Sequence, residues 1–125
     1  IRRRETGAGS RWLLLQATKH GEWGFPKGHQ DPGETNLETA LRECAEEAGI
    51  ALVAIEGEPI ELHYRLPSGR DKLVVHYPAL TGTTQVSLSD EHRDAGWMTA
   101  AGVLDHLPHA TVRGMFSAYL KTFGF

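Results

Sequence analysis

A helix with both of its ends encoded locally lies between Thr35 and Gly49, and its charge pattern restricts what the rest of the chain can be. Thr35-Asn-Leu-Glu38 has the form of a capping box, in which the Thr35 hydroxyl accepts from the Glu38 amide and the Glu38 carboxylate accepts from the Thr35 amide. Pro32-Gly33 blocks earlier extension, and Gly49 suits the left-handed position that closes a helix. The spacing predicts a helix over Asn36–Ala48. At about 100° per residue, Leu37, Leu41, Cys44 and Ala48 share one face, flanked by Ala40 and Ala45, and that face is expected to be core. Glu43, Glu46 and Glu47 fall on the opposite side, within an arc of about 100°.

That acidic arc is part of a longer imbalance. From Asp31 to Glu58 there are eight acidic residues and one basic residue, Arg42. Like charges this dense repel one another, and a bound divalent cation would reverse the sign of their interaction. Carboxylates at i, i+3 and i+4 can converge on one small site, and hard cations such as Mg²⁺ take oxygen ligands of this kind, completed by water and substrate phosphates. Cleaving a phosphoanhydride requires neutralised charge, an oriented water and a base. The stretch supplies acids for metal and base, and Lys27 just ahead for a phosphate. The competing reading is a solvated acidic helix face, and spacing by itself does not choose between the two.

The remaining composition narrows the partners. A chain of 125 residues is read as one domain, residues 1–125. A net charge of −3 and a pI of about 6.2 argue against a protein that coats nucleic acid or lies on a membrane. No apolar run reaches the roughly 18–20 residues that span a bilayer, and no secretory signal is visible. Cys44 is the single cysteine, so an intrachain disulfide is excluded and a cytoplasmic, reducing location is expected. A monomer or homodimer is expected.

Along the chain, Ile1 to Thr6 reads as the end of a strand and Gly7-Ala8-Gly9-Ser10 as a turn. Arg11 to Ala17 is a strand whose three consecutive leucines call for burial on both faces. Lys19 to Glu22 is a polar loop, and Trp23 to Gly28 an irregular segment punctuated by glycine and proline. Beyond the helix, Leu52 to Ile55 is a short strand. Pro59 to Leu66 and Lys72 to Leu80 pair about a hairpin turn at Pro67-Ser-Gly-Arg70. Leu88 to His92 is a loop, and Ala95 to Met98 a short strand. Thr99 caps a brief helix through Leu104, and a last helix covers Ala110 to Thr122, with Val112, Met115, Phe116, Tyr119 and Leu120 as its apolar stripe. The order of elements lacks βαβ regularity, so the fold class is α+β, a mixed β-sheet sandwiched between helices.

Read in full, Gly28, five residues, Glu34, seven residues and then Arg42-Glu43-Cys44-Ala45-Glu46-Glu47-Ala48-Gly49-Ile50 resembles the Nudix box, G-x5-E-x7-R-E-U-x-E-E-x-G-U. Every fixed position matches, with Cys44 and Ile50 in the hydrophobic slots. The resemblance implies the Nudix fold, with a catalytic loop-helix-loop, and hydrolysis of a nucleoside diphosphate linked to another group. It implies Glu46 and Glu47 as Mg²⁺ ligands, with Mn²⁺ as the alternative ion, and Glu43 as ligand or general base. It adds the main-chain carbonyl of Gly28 to the metal shell and gives Arg42 the task of orienting the acids through Glu34 or a neighbour. The apolar, glycine-rich first strand that precedes the position of Arg2 in this family is partly missing from this sequence.

Flanking segments narrow the resemblance. Leu13 to Ala17, Trp23-x-x-Pro-Lys-Gly-His29, Asp31-Pro-Gly-Glu34, Glu61-Leu-His-Tyr64 and Leu88-Ser-x-Glu-His92 are similar to the asymmetrical diadenosine tetraphosphate hydrolases. That group implies Mg²⁺-dependent cleavage of diadenosine tetraphosphate to ATP and AMP. It implies an adenine stacked on Tyr64, although a tyrosine on a strand equally packs on its sheet. Lys27 and Lys72 become candidate phosphate contacts, and for Lys72 an exposed strand-end lysine is an equal reading. His29 is a candidate phosphate donor or a plain loop residue. Glu91 becomes a further metal or proton-accepting carboxylate, with His92 less favoured, and Trp23 lines the pocket or packs. The rival functions are cleavage of diphosphoinositol polyphosphates, nucleotide sugars or a 5′-triphosphate RNA end, and a non-catalytic nucleotide sensor. The near-neutral pI counts against the polyanionic substrates, and the intact box carboxylates against the sensor.

Overall fold

Three consecutive leucines in one strand demand a layer on each side of it, and the sheet is built around that demand. The computed structural model describes residues 1–5 and 9–125. The central strand is β2, Gly9–Ala17. On one edge it pairs antiparallel with β1, Arg2–Glu5, in the register Arg2↔Trp12, and further along with β3, Trp23–Gly24, in the register Leu15↔Gly24. On the other edge it pairs antiparallel with β8, His92–Met98, in the register Trp12↔Met98 to Gln16↔Asp94. β1 continues the sheet through a parallel pairing with β7, Ala79–Leu80, and β7 pairs antiparallel with β4, Ala54–Ile55. The sheet is therefore mixed, as expected.

Alternation along β2 splits the core in two. Trp12 and Leu14 point to one face, where they meet Val103 of α2, Ala100–His106, Leu107, and Phe116 and Tyr119 of α3, Ala110–Phe123. Leu13 and Leu15 point to the other, where they meet Cys44 and Ala48 of α1, Asn36–Ala48, and Ile50. Leu13, Leu14 and Leu15 are all at most 1% exposed, and each such burial contributes roughly 1.5–3 kcal/mol. The Trp12 indole N–H donates to the Tyr119 hydroxyl at 3.1 Å, so the buried tryptophan is satisfied.

Several expected boundaries move. The turn read at Gly7–Ser10 falls partly outside the described residues, and Gly9 and Ser10 already belong to β2. The strand read over Lys72–Leu80 is two strands. Among the described residues β6, Asp71–His76, pairs only with β5, Ile60–Arg65, as a separate two-stranded sheet, and the chain then crosses at Tyr77-Pro78 into the main sheet as β7. The proline cannot donate to a ladder, which marks the place of the crossing. The hairpin turn is as expected, with Gly69 at φ 85°.

α1 has the predicted limits and both predicted caps, the Thr35–Glu38 capping box and Gly49 in the left-handed region at φ 70°. Its burial corrects the helix-wheel reading. Cys44 and Ala48 are core, but Leu37 and Leu41 are 36% and 38% exposed, while Glu43 and Glu47 are buried. Only the C-terminal half of the helix joins the apolar cluster on the sheet. The N-terminal half is held by polar contacts instead.

Candidate active site

Those polar contacts radiate from Arg42. Its Nε and Nη2 donate to the two oxygens of Glu34 at 2.7 and 3.0 Å, a bidentate fork. Nη1 donates to Glu43 Oε1 at 2.8 Å and to Glu46 Oε2 at 3.1 Å, and Nη2 also donates to the carbonyl of His29 at 2.9 Å. Glu34 further accepts from the Asp31 amide at 2.8 Å and the Thr39 hydroxyl at 3.0 Å. The Arg42 guanidinium, with those two donors, holds the Glu34 carboxyl down at about 2. One cation thus ties the loop before the helix to its first two turns and aims the acids.

Glu47 stands at the centre. Its side chain is almost wholly enclosed, and Oε1 accepts from the Lys27 amide at 2.8 Å. Burial pushes its carboxyl up to about 7, and repulsion from Glu43 and Glu91 adds to the rise, against the Lys27 amide and charge. Gly28 packs directly on the Glu43 carboxyl group, and a Cβ there would overlap it. The position therefore needs glycine for close approach, whatever its carbonyl does. Among the described residues no three histidine, cysteine, aspartate or glutamate side chains already converge on one cation position. Glu43 and Glu46 each give an oxygen to Arg42, and Glu47 one to Lys27. The donor set nevertheless suits a hard cation. It is all carboxylate, partly buried and mutually repelling, and Arg42 only partly balances it.

The other expected residues divide. Glu91 is exposed, its carbonyl accepting from the Thr18 amide at 2.9 Å, and its charge reaches Glu47. Lys27 lies close enough to affect both Glu47 and His76. His29 enters through its carbonyl, and its residue is exposed. Tyr64 and Lys72 stand directly opposite each other across β5 and β6, the tyrosine half-buried and the lysine exposed. Strand alternation puts them on the same face as the Ile60–His76 pair, whose isoleucine packs on the α2–α3 core. His76 lies edge-on to Phe25, ring centroids 6.2 Å apart, and Phe25 in turn contacts Phe116 at 5.7 Å. That face of the hairpin therefore turns toward the Trp23–Gly28 loop. Trp23 is half-buried, packing on the α2–α3 core and edge-on to the His106 ring at 5.4 Å, as the packing reading expects.

Sequence reasoning passed over Thr39, saw no ligand spacing at His76, and ranked His92 below Glu91 without placing it. Thr39 lies five residues beyond Glu34, a spacing that brings its hydroxyl to that carboxylate. His76 is driven toward its neutral form by burial, down to about 4, with Lys27 adding to the effect. His92, one residue past Glu91, puts its Nε2 3.7 Å from Glu47 Oε2.

The arrangement is that of a known family: the chain belongs to the NUDIX domain family, whose model matches residues 1–119. The family uses divalent cations, generally Mg²⁺. Among its relatives, an asymmetrical bis(5′-nucleosyl)-tetraphosphatase of Rattus norvegicus is 42% identical over 93 residues, covering 70% of this chain and 63% of that protein. The enzyme of the same name from Caenorhabditis elegans is 34% identical over 119 residues, covering 90% of this chain and 86% of the relative. A crystal structure of a C. elegans Ap4A hydrolase binary complex superposes with a TM-score of 0.86 at 32% identity, over 100% of this chain and 94% of that one. The match thus spans under two thirds of the rat relative and most of the nematode one. Among the described residues, no helix is long and apolar enough to cross a membrane.

Proposed function

We propose that the protein hydrolyses dinucleoside polyphosphates asymmetrically, taking diadenosine tetraphosphate and water to ATP and AMP. The observation that carries the reading is the buried Glu47 carboxyl, fixed by the Lys27 amide beside Glu43 and Glu91 and framed by Arg42. The tetraphosphate substrate is supported by the names of the relatives. Glu43, Glu46, Glu47 and the Gly28 carbonyl would hold Mg²⁺, or Mn²⁺ in its place. When bound, the cation supplies charge neutralisation for the phosphate chain and lowers the pKa of water.

The chain's own groups do the rest. Arg42 holds one oxygen each of Glu43 and Glu46, limiting their rotation. Lys27 and Lys72 offset phosphate charge as point cations. His29, exposed at the loop before the helix, is a further phosphate donor. Tyr64 offers a ring face to an adenine, a contact that contributes about 1–3 kcal/mol. Glu91, not engaged by Arg42, takes the proton from the attacking water, whereas Arg42 draws on the basicity of Glu43. The buried thiol of Cys44 suits a reducing, cytoplasmic setting, where the protein acts as a monomer or homodimer.

Product analysis on a panel of diadenosine tetraphosphate, a nucleotide sugar, a diphosphoinositol polyphosphate and a 5′-triphosphate RNA tests the reading, with Mg²⁺ and with EDTA. Equal ATP and AMP from the first substrate, only with Mg²⁺, is the expected result. Preference for another member of the panel would replace the substrate. Turnover undiminished in EDTA would refute the metal role. Glu91→Gln should lower kcat more than Glu43→Gln if Glu91 is the base, with ¹⁸O from water marking the phosphorus attacked.

A further inference from the structure

Glu47 has two carboxylate oxygens in two different environments. Oε1 is tied to the Lys27 amide at 2.8 Å, and Oε2 faces His92 Nε2 at 3.7 Å. Both side chains are enclosed, 5% exposed for Glu47 and 13% for His92. The segment that carries His92 is docked on the last turn of α1. The Ser87 amide donates to the Ala48 carbonyl at 2.9 Å, the Ser89 amide to the Glu47 carbonyl at 3.4 Å, and the His92 amide to the Ser89 carbonyl at 3.2 Å. Among the described residues, His92 Nδ1 is buried without a hydrogen-bond partner. An unpartnered buried N–H is the costlier alternative, so the proton belongs on Nε2, toward the carboxylate.

We propose that His92 is a positioning residue for Glu47, with its Nε2–H steering Oε2 while the Lys27 amide fixes Oε1. At 3.7 Å the imidazole orients the carboxylate without occupying it as a full hydrogen bond would. The oxygen keeps its lone pairs for a cation, and the carboxylate is flanked on one oxygen by the Lys27 amide and on the other by the imidazole. Outer-shell groups of this kind set the orientation and basicity of metal-binding side chains. His92 also follows Glu91 directly, so one short segment supplies the exposed carboxylate and braces the buried one.

This inference rests on the proposed cation-dependent hydrolysis, and its test uses a readout other than turnover. Mn²⁺ binding to the substrate-free protein, followed by electron paramagnetic resonance, is compared in the wild type and in His92→Ala, His92→Phe and His92→Gln, alongside kcat and KM. Alanine and phenylalanine should weaken Mn²⁺ binding about 10–100-fold and lower kcat similarly, with KM little changed. Phenylalanine keeps the ring volume and loses the N–H, so it separates positioning from packing. Glutamine can place an amide N–H near the Nε2 position and should recover most of both readouts, at a melting temperature like that of the wild type. Wild-type behaviour of the alanine variant would overturn the proposal, as would a phenylalanine variant that recovers or a glutamine variant as impaired as alanine. A ¹⁴N coupling to bound Mn²⁺ that disappears in His92→Ala would overturn it in favour of direct ligation. A wild type that binds no Mn²⁺ and cleaves no substrate would defeat the underlying function instead.

Discussion

The loop and helix around Arg42 and the β5–β6 hairpin both adjoin the Trp23–Gly28 loop but are built by opposite means. The first is a charge-assisted frame: a bidentate arginine, two helix caps, and a glycine pressed against a carboxylate. The second is a two-stranded sheet of its own, with Arg65, Leu66, Asp71, Lys72 and Leu73 exposed at its far end. The frame has little freedom to change, because each donor of Arg42 already has an acceptor and a lost partner strands the others. The hairpin is tied down mainly at its base, by Ile60 and His76. On the proposed reading the difference amounts to a division of labour, in which the frame would determine which bond is cleaved and the hairpin which molecule presents it.

The largest test breaks the frame at its centre. Glu47→Gln keeps shape and loses charge, and should lower kcat on diadenosine tetraphosphate by about 10³-fold or more with an unchanged circular dichroism spectrum. Next comes Arg42→Lys, which keeps the charge but cannot span Glu34, Glu43 and the His29 carbonyl together. It should lower kcat by about 10–100-fold and lower the melting temperature, both read on the same preparation. On the hairpin, Tyr64→Ala should raise KM roughly tenfold and leave kcat within about twofold, while Tyr64→Phe behaves as the wild type. A kcat loss at Tyr64 equal to that at Arg42 would erase the proposed division.

The smallest effect is on stability against pH. The Glu47 carboxyl is held near 7 in the fold, above its ordinary 4.5, so its neutral form is the one the fold favours. In EDTA, stability from this group is present below about 4.5 and is lost as pH rises through about 7, because the folded protein retains a proton that the unfolded chain releases. The melting temperature in EDTA should therefore fall more steeply over that interval in the wild type than in Glu47→Gln, and Mg²⁺ should remove the difference.

What could be read from the sequence follows the same line. The limits of α1 were legible because its caps are contacts between residues three or four apart, and the two-sided burial of β2 because three leucines in a row admit few alternatives. The box residues were legible as a pattern, yet their burial was not. A helix wheel ranks faces by polarity, so it assigned Leu37 and Leu41 to the core and left Glu43 and Glu47 outside. The structure buries the acids because Arg42, the Lys27 amide and a glycine enclose them, and these partners come from a loop the wheel does not contain. The split of β6 from β7 and the approach of His92 to Glu47 depend on pairings between distant segments, for which local pattern carries no signal.

The crossing at Tyr77-Pro78 has a consequence for how such a protein can change. The hairpin leaves the main sheet before Ile60 and rejoins it at Ala79, with Pro78 buried and its carbonyl accepting from the Glu56 amide at 2.9 Å. Entry and exit are thus joined, and the segment between them hangs from the sheet as an insert. A lineage, or an engineer, can exchange residues 61–75 for a hairpin of other length and chemistry while Ile60 and His76 keep its base in place and the acid-bearing helix keeps its register, so on the proposed reading new substrates would become reachable by replacing a cassette instead of rebuilding a catalyst.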